Sequence, residues 1–140
     1  MKIKQLVYIS VATTPFSADG LKELTEVANK NNKRLAITGC MVYASGYFLQ
    51  LLEGEDAAVE MLYQKITKDP RHKGTKVLLN QEVDEAKRLF PNWFMTSFNV
   101  DTRADFPDEL KQRIKDIVSD PKATLRVHRL FMEFKQYLAG

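Results

Sequence analysis

The chain has a single cysteine, Cys40, among its 140 residues, which excludes an intrachain disulfide and any all-cysteine metal site. Long apolar runs are absent too: none approaches the roughly 20 residues needed to cross a bilayer. The opening Met1-Lys2-Ile3-Lys4-Gln5 lacks the apolar core of a secretory signal. A reducing, cytoplasmic setting away from membranes is therefore expected. No run of Lys or Arg is long enough for a nucleic-acid arm, and a net charge of +3 with 28% charged residues is mild. No nucleophile with a base and no metal cluster emerges, so an enzyme is not expected. What is present is a hydrophobic content of 44%, enough in a chain of this length for one globular domain with a sizeable core.

The most informative stretch is Gly46-Tyr47-Phe48-Leu49-Gln50-Leu51-Leu52-Glu53-Gly54, which reads as a buried strand bounded by glycines. Alternation puts Phe48, Gln50 and Leu52 on one face and Tyr47, Leu49, Leu51 and Glu53 on the other. Both faces read as apolar except for Gln50. An amide there needs partners, because a buried unpaired polar group costs roughly 1–3 kcal/mol.

Around it, residues 3–11 predict a strand, and Ser17 caps a helix carrying Leu21, Leu24, Val27 and Ala28 to about Asn32. Extending that apolar stripe lands on Asn31 and Asn32. Residues 35–43 predict a second strand, interrupted at Gly39 and joined to the Gln50 strand by a hairpin. Val59, Leu62, Tyr63 and Ile66 mark a second helix that stops at Asp69-Pro70, followed by Arg71-His72-Lys73, a compact cationic corner with Lys65. Residues 75–83 and 92–100 predict two more strands, the last placing Trp93, Met95 and Ser97 on one face.

The order is that of an α+β, ferredoxin-like βαββαββ fold with a five-stranded mixed sheet. Right-handed crossovers put both helices on one face. The other face, with Ile3, Val7, Ile9, Leu49 and Leu51, needs a cover. Two amphipathic tail helices are expected to supply it: one with Phe106, Leu110, Ile114, Ile117 and Val118, and one after Asp120-Pro121 with Val127, Leu130, Phe131, Phe134 and Leu138. The domain reading is residues 1–100 as the body and 101–140 as a two-helix extension.

Between the two sheet-side helices, parity gathers Tyr8, Gln50, Asn31 and Asn32 in an apolar slot with cations at one end. Such a slot suits a planar, amide-edged heteroaromatic carrying phosphates. Each residue alone has a structural explanation: a core tyrosine, a helix end, core filler at Trp93 and Met95, a solvated corner. Their ordered combination is what points to a ligand.

Leu6-Val7-Tyr8-Ile9-Ser10, Lys30-Asn31-Asn32, Ile37-Thr38-Gly39, the Gly46 to Gly54 run, Asp69-Pro70-Arg71-His72 and Phe90-Pro91-Asn92-Trp93-Phe94-Met95 together resemble the BLUF family of blue-light sensors using flavin. The resemblance covers about residues 3–98. It implies a noncovalent flavin, usually FAD with FMN as the alternative, between the two helices. It further implies that Asn32 bonds the ring's polar edge with Asn31 nearby, that Leu24, Phe48 and Ile66 line the ring, and that Lys65, Asp69, Arg71 and His72 approach the ribityl and phosphate portion. By the same resemblance Tyr8 is the electron donor, Gln50 the rearranging amide, and Trp93 and Met95 the relay.

Three residues depart from the family pattern. Ala28 stands where some relatives have serine, Lys65 where arginine is frequent, and Phe94 where a small hydroxyl residue is found. Lysine gives up a bidentate phosphate grip. With no cyclase, phosphodiesterase or DNA-binding domain following the tail helices, the signal is expected to leave through a partner protein or a changed homo-oligomer. The competing reading, an RNA-recognition-like sheet, draws on Tyr47-Phe48 and Tyr8 but lacks the later aromatics and a cation at position 45.

Overall fold

A computed structural model describes residues 1–13, 16–44, 46–92, 94–100, 108–119 and 127–139, with the side chains of 96, 110, 118–119 and 134–139 set aside. Strand β1 (Lys2–Ala12) is followed by helix α1 (Ala18–Arg34), the hairpin of β2 (Thr38–Ala44) and β3 (Tyr47–Gly54), helix α2 (Asp56–Thr67), β4 (His72–Asp84), β5 (Thr96–Asn99), and helices α3 (Asp108–Ser119) and α4 (Val127–Ala139). The sheet order is β4-β1-β3-β2-β5, antiparallel throughout except for the parallel β2/β5 pair. This is the expected α+β arrangement.

Local chemistry explains the boundaries. Ser17 Oγ accepts from Gly20 N at 3.0 Å and starts α1, with Asp19 in its first turn and Lys33 and Arg34 in its last, both favoured by the helix dipole. Ala36 at φ 55° then turns the chain out of α1, in a backbone region that glycine usually fills. Gly39, expected as an interruption, sits inside β2 because a Cβ there would meet Leu51 O at 1.9 Å; the strands can approach only where a side chain is missing. The last strand is shorter than the 92–100 expectation, so Met95 precedes it. Trp93, Phe106 and the proposed helix start at Asp120-Pro121 lie outside the described residues.

Side-chain parity divides the core into two layers. On the α1/α2 side lie Leu6, Tyr8, Leu21, Ile37, Met41, Tyr43, Phe48, Leu52, Val59 and Met95. On the other, Val7, Ile9, Cys40, Val42, Leu49, Leu51 and Phe98 meet Ile114, Ile117, Val127, Leu130 and Phe131 of α3 and α4. The tail helices therefore cover the back of the sheet. That is the face an RNA-recognition domain leaves open for bases, and here it is buried.

One expectation is corrected. The odd face of β3 is not wholly apolar: Glu53 is fully buried. Its carboxylate accepts from Leu89 N and Phe90 N at 2.8–3.0 Å and from Gln5 Nε2 at 2.8 Å, while Gln81 Nε2 donates to Gln5 Oε1 at 2.8 Å. Beside it Arg88 donates to Ala36 O, Thr38 Oγ1 and Glu53 O and pairs with Glu85. Together they bind the connection after β4 to the β2 and β3 strands. Because each buried partner left unpaired costs roughly 1–3 kcal/mol, Glu53→Ala is expected to lower unfolding free energy by about 3 kcal/mol or more, measured by urea denaturation. A loss under about 1 kcal/mol would mean water replaces the carboxylate.

Candidate functional site

Central strands β1 and β3 set the site. Their register places Tyr8 opposite Gln50, and β2 places Met41 opposite Gln50 on the other side. The Tyr8 hydroxyl donates to Gln50 Oε1, and Gln50 Nε2 reaches Met95 Sδ at 3.7 Å. A thioether is a weak acceptor, so the Gln50 amide has donor capacity left over. Tyr8 is fully buried, with the Tyr63 ring edge-on at 5.3 Å. Burial, then the Tyr63 hydroxyl and the Asp69 carboxylate, push the Tyr8 phenol well above its ordinary range. It holds its proton at any physiological pH.

Tyr8, Met41 and Gln50 floor a cleft of about 170 Å³ between α1 and α2. Its walls are Leu24, Val27, Ala28, Asn31 and Asn32 from α1 and Leu62, Lys65 and Ile66 from α2; Asp69, Arg71 and His72 close one end. The volume is below the roughly 300–1,000 Å³ usual for small-molecule sites. An elongated ligand would therefore seat only its ring inside and run its remaining length out past the polar end. Asn32, almost fully buried, donates from Nδ2 to Phe94 O at 2.7 Å. Asn31 Oδ1 accepts from Arg34.

The polar end is less cationic than its composition suggests. Arg71 forms a forked ion pair with Asp69, its Nε at 3.0 and 3.1 Å and Nη2 at 2.5 Å from the carboxylate oxygens. The guanidinium and its backbone hydrogen bond hold Asp69 below the usual carboxylate range. His72 stacks at a tilt on Phe48 at 4.8 Å and lies 3.1 Å from Ser10 Oγ; burial lowers its proton affinity, the Asp69 charge opposing and the Arg71 charge adding to the shift. Lys65 thus supplies the positive charge least engaged by neighbours in the cleft wall.

Of the residues expected from the sequence, Tyr8, Leu24, Asn31, Asn32, Gln50, Lys65, Ile66, Asp69, Arg71 and His72 line one cleft. Met95 joins them through Gln50. Phe48 does not reach the wall: it is packed behind it against Phe16, Tyr43 and His72. Sequence reasoning missed Met41 and did not assign Tyr63 to the site. Register pairing with Gln50 would have found Met41, and Tyr63 sits on the α2 apolar stripe, which by pattern alone reads as core.

The family model described as BLUF, sensors of blue-light using FAD, matches residues 3–96. The chain belongs to the BLUF family. Photoactivated adenylate cyclase subunit beta of Euglena longa is 39% identical over 118 residues, covering 81% of this chain and 14% of that protein. The alpha subunit of Euglena gracilis is 32% identical over 108 residues, covering 76% of this chain and 10% of that protein. A bacterial light-regulated adenylyl cyclase matches with TM-score 0.73 at 36% identity, over 91% of this chain and 36% of that one. BlrB, a BLUF protein in its dark state, shares the fold, with TM-score 0.76 at 24% identity over 94% and 96% of the two chains. The chain spans only 10 to 14% of the curated relatives' length.

As a BLUF protein the chain is a blue-light sensor, and FAD is the family's cofactor. The cleft fits that cofactor. A buried amide whose described acceptor is only a thioether suits a ring carbonyl, and an apolar slot ending in Lys65 and Arg71 suits a ring with a phosphate arm. Among the described groups with shifted proton affinity, only His72 has an ordinary value near neutrality, at 6.5. Its folded value lies lower, so the unfolded chain binds the proton first and stability falls as pH drops through 6.5 toward the folded value. Asp69 acts only below 3.8. In flavin-free protein the urea midpoint is expected to decline between pH 7 and 5.5, and His72→Gln to flatten the decline; an unchanged slope would place the proton uptake elsewhere.

Proposed function

We propose that this BLUF domain switches by an exchange of partners at Gln50, driven by electron and proton loss from Tyr8. The observation that carries the reading is the buried hydrogen bond from the Tyr8 phenol to Gln50 Oε1, with Met95 Sδ on the amide's other side. When bound and excited by blue light, FAD supplies a strong one-electron oxidant. Tyr8 gives up the electron, and its phenolic proton moves along its hydrogen bond toward Gln50. The high proton affinity of the buried phenol favours its reprotonation when the electron returns.

Gln50 then re-forms its hydrogen bonds in a different arrangement, and nothing is consumed. Asn31 and Asn32 would hold the ring's polar edge, Leu24 and Ile66 its faces, and Lys65 and Arg71 the phosphate arm, with Asp69 fixing Arg71 and His72 closing the pocket. These are sensing roles, not steps of an enzyme reaction. Residues 1–100 form the sensor and 101–140 the output extension. Relatives named as photoactivated adenylate cyclase subunits support a sensor that hands its state to another protein surface, here a partner protein or a second copy reached through β5 and the tail helices.

Tyr8→Phe and Gln50→Leu are each expected to retain FAD and to lose the lasting red shift of the flavin band after blue illumination, read by absorbance before and after the light. A parental shift in either variant would overturn the assignment. Gel filtration in darkness and under blue light tests the output: identical elution and identical partners in both states would reject the relay.

A further inference from the structure

Helix α1 carries a second row of polar side chains, turned toward the segment that leads into β5. Thr25, Asn29 and Asn32 lie at i, i+4 and i+7, one stripe of the helix. Asn32 Nδ2 donates to Phe94 O at 2.7 Å and Asn29 Nδ2 to Met95 O at 3.3 Å. Thr25 Oγ1 lies 2.7 Å from Leu21 O and 2.8 Å from Ser97 Oγ. A hydroxyl has one proton to give; donating it to the helix carbonyl leaves Thr25 an acceptor and makes Ser97 the donor. Moving toward the N-terminus of α1, the row therefore meets positions 94, 95 and 97 in turn.

Strand β5 is four residues long and lies at the sheet edge, where β2 is its strand partner among the described residues. A slide of β5 by one residue would break the whole row at once, because backbone carbonyls and one hydroxyl are matched to fixed helix positions.

We infer that Thr25 and Asn29 are positioning residues that hold the segment Met95 to Ser97 in its resting register and thereby set how long the light-switched arrangement lasts. The inference rests on the photochemical reading above. Both residues border a separate cavity of about 310 Å³ with Glu26, Lys30 and Met95, outside the walls of the flavin cleft. Substituting them removes the hold on β5 without removing a wall of the cleft.

The test uses the full chain loaded with FAD. Thr25→Val, Asn29→Leu and the double variant are compared with the parent for FAD affinity, return of the flavin band in darkness after blue light, and amide exchange across residues 94–100 in darkness. Loss of one hydrogen bond is expected to slow the return about fivefold, the double variant more, with faster exchange confined to that segment and FAD affinity unchanged. Thr25→Ser, which keeps the hydroxyl, restores the parental rate. Ser97→Ala cuts the same link from the strand side and serves if the double variant does not fold.

A parent that shifts in light while the double variant, or Ser97→Ala in its place, returns and exchanges within about twofold of it overturns this inference alone. Loss of FAD in the Thr25 and Asn29 variants also overturns it, by placing the pair in the flavin site. A parent that binds FAD but never shifts overturns the photochemical reading and this inference with it.

Discussion

The structure turns on one polar side chain set in an apolar sheet. Gln50 stands in the middle strand, where β1 and β2 flank β3, and is buried at the floor of the cleft. Its oxygen is committed to the Tyr8 phenol and its nitrogen to a thioether. An amide with one strong and one weak partner can re-form its hydrogen bonds when a better acceptor or an altered phenol appears, and the proposed exchange rests on that. The surroundings keep that choice narrow: Tyr63 packs on Tyr8, Met41 sits across the strand, and the cleft admits a ring between two helices and little else.

Much of this was legible in the chain itself, for physical reasons. Period-two alternation in β3 separates Gln50 from Leu49 and Leu51, and the same parity in β1 brings Tyr8 to it. Apolar stripes on α1 and α2 mark the walls, and the uncovered faces of β1 and β3 require the tail helices. The expectation of strand 92–100 was too long because alternation of Phe94, Met95 and Phe98 mimics a strand. Met95 instead precedes β5, its carbonyl taken by Asn29. The resemblance places Phe48 at the ring, whereas Phe16, Tyr43 and His72 converge on it behind the cleft wall.

Glu53 shows what alternation cannot express. A carboxylate beside a glycine at the end of a strand looks like a surface charge, and its burial depends on partners 36, 37 and 48 residues away in sequence: the amides of Leu89 and Phe90 and the side chain of Gln5. Nothing local announces those contacts. Arg88 is similar, since its nearly buried guanidinium gathers carbonyls from the end of α1 and from β3. Long-range polar satisfaction is set by the fold and becomes readable only once strands are in register. The departures from the family pattern gain local sense the same way: Phe94 lies beneath Lys33 Nζ at 5.9 Å, a cation over an aromatic face.

Glu53 and Arg88 also define where movement can begin. They fix the chain through Phe90, whereas beyond it Met95 hangs on Asn29 and Gln50, and β5 on β2 and the α1 row. A change at Gln50 is met on one side by β1, held by neighbours on both edges, and on the other by a segment with one strand partner. Edge strands open locally more readily than central ones, so β5 is expected to open before β1. Parity then separates the two sides of the segment: Met95 packs in the layer under α1 and α2 and Ser97 meets Thr25 of α1, while Phe98 belongs to the core shared with Ile114, Ile117 and Phe131. Phe98 sits in the close-packed layer that β5 shares with α3 and α4, so a displacement of β5 would have to be accommodated there.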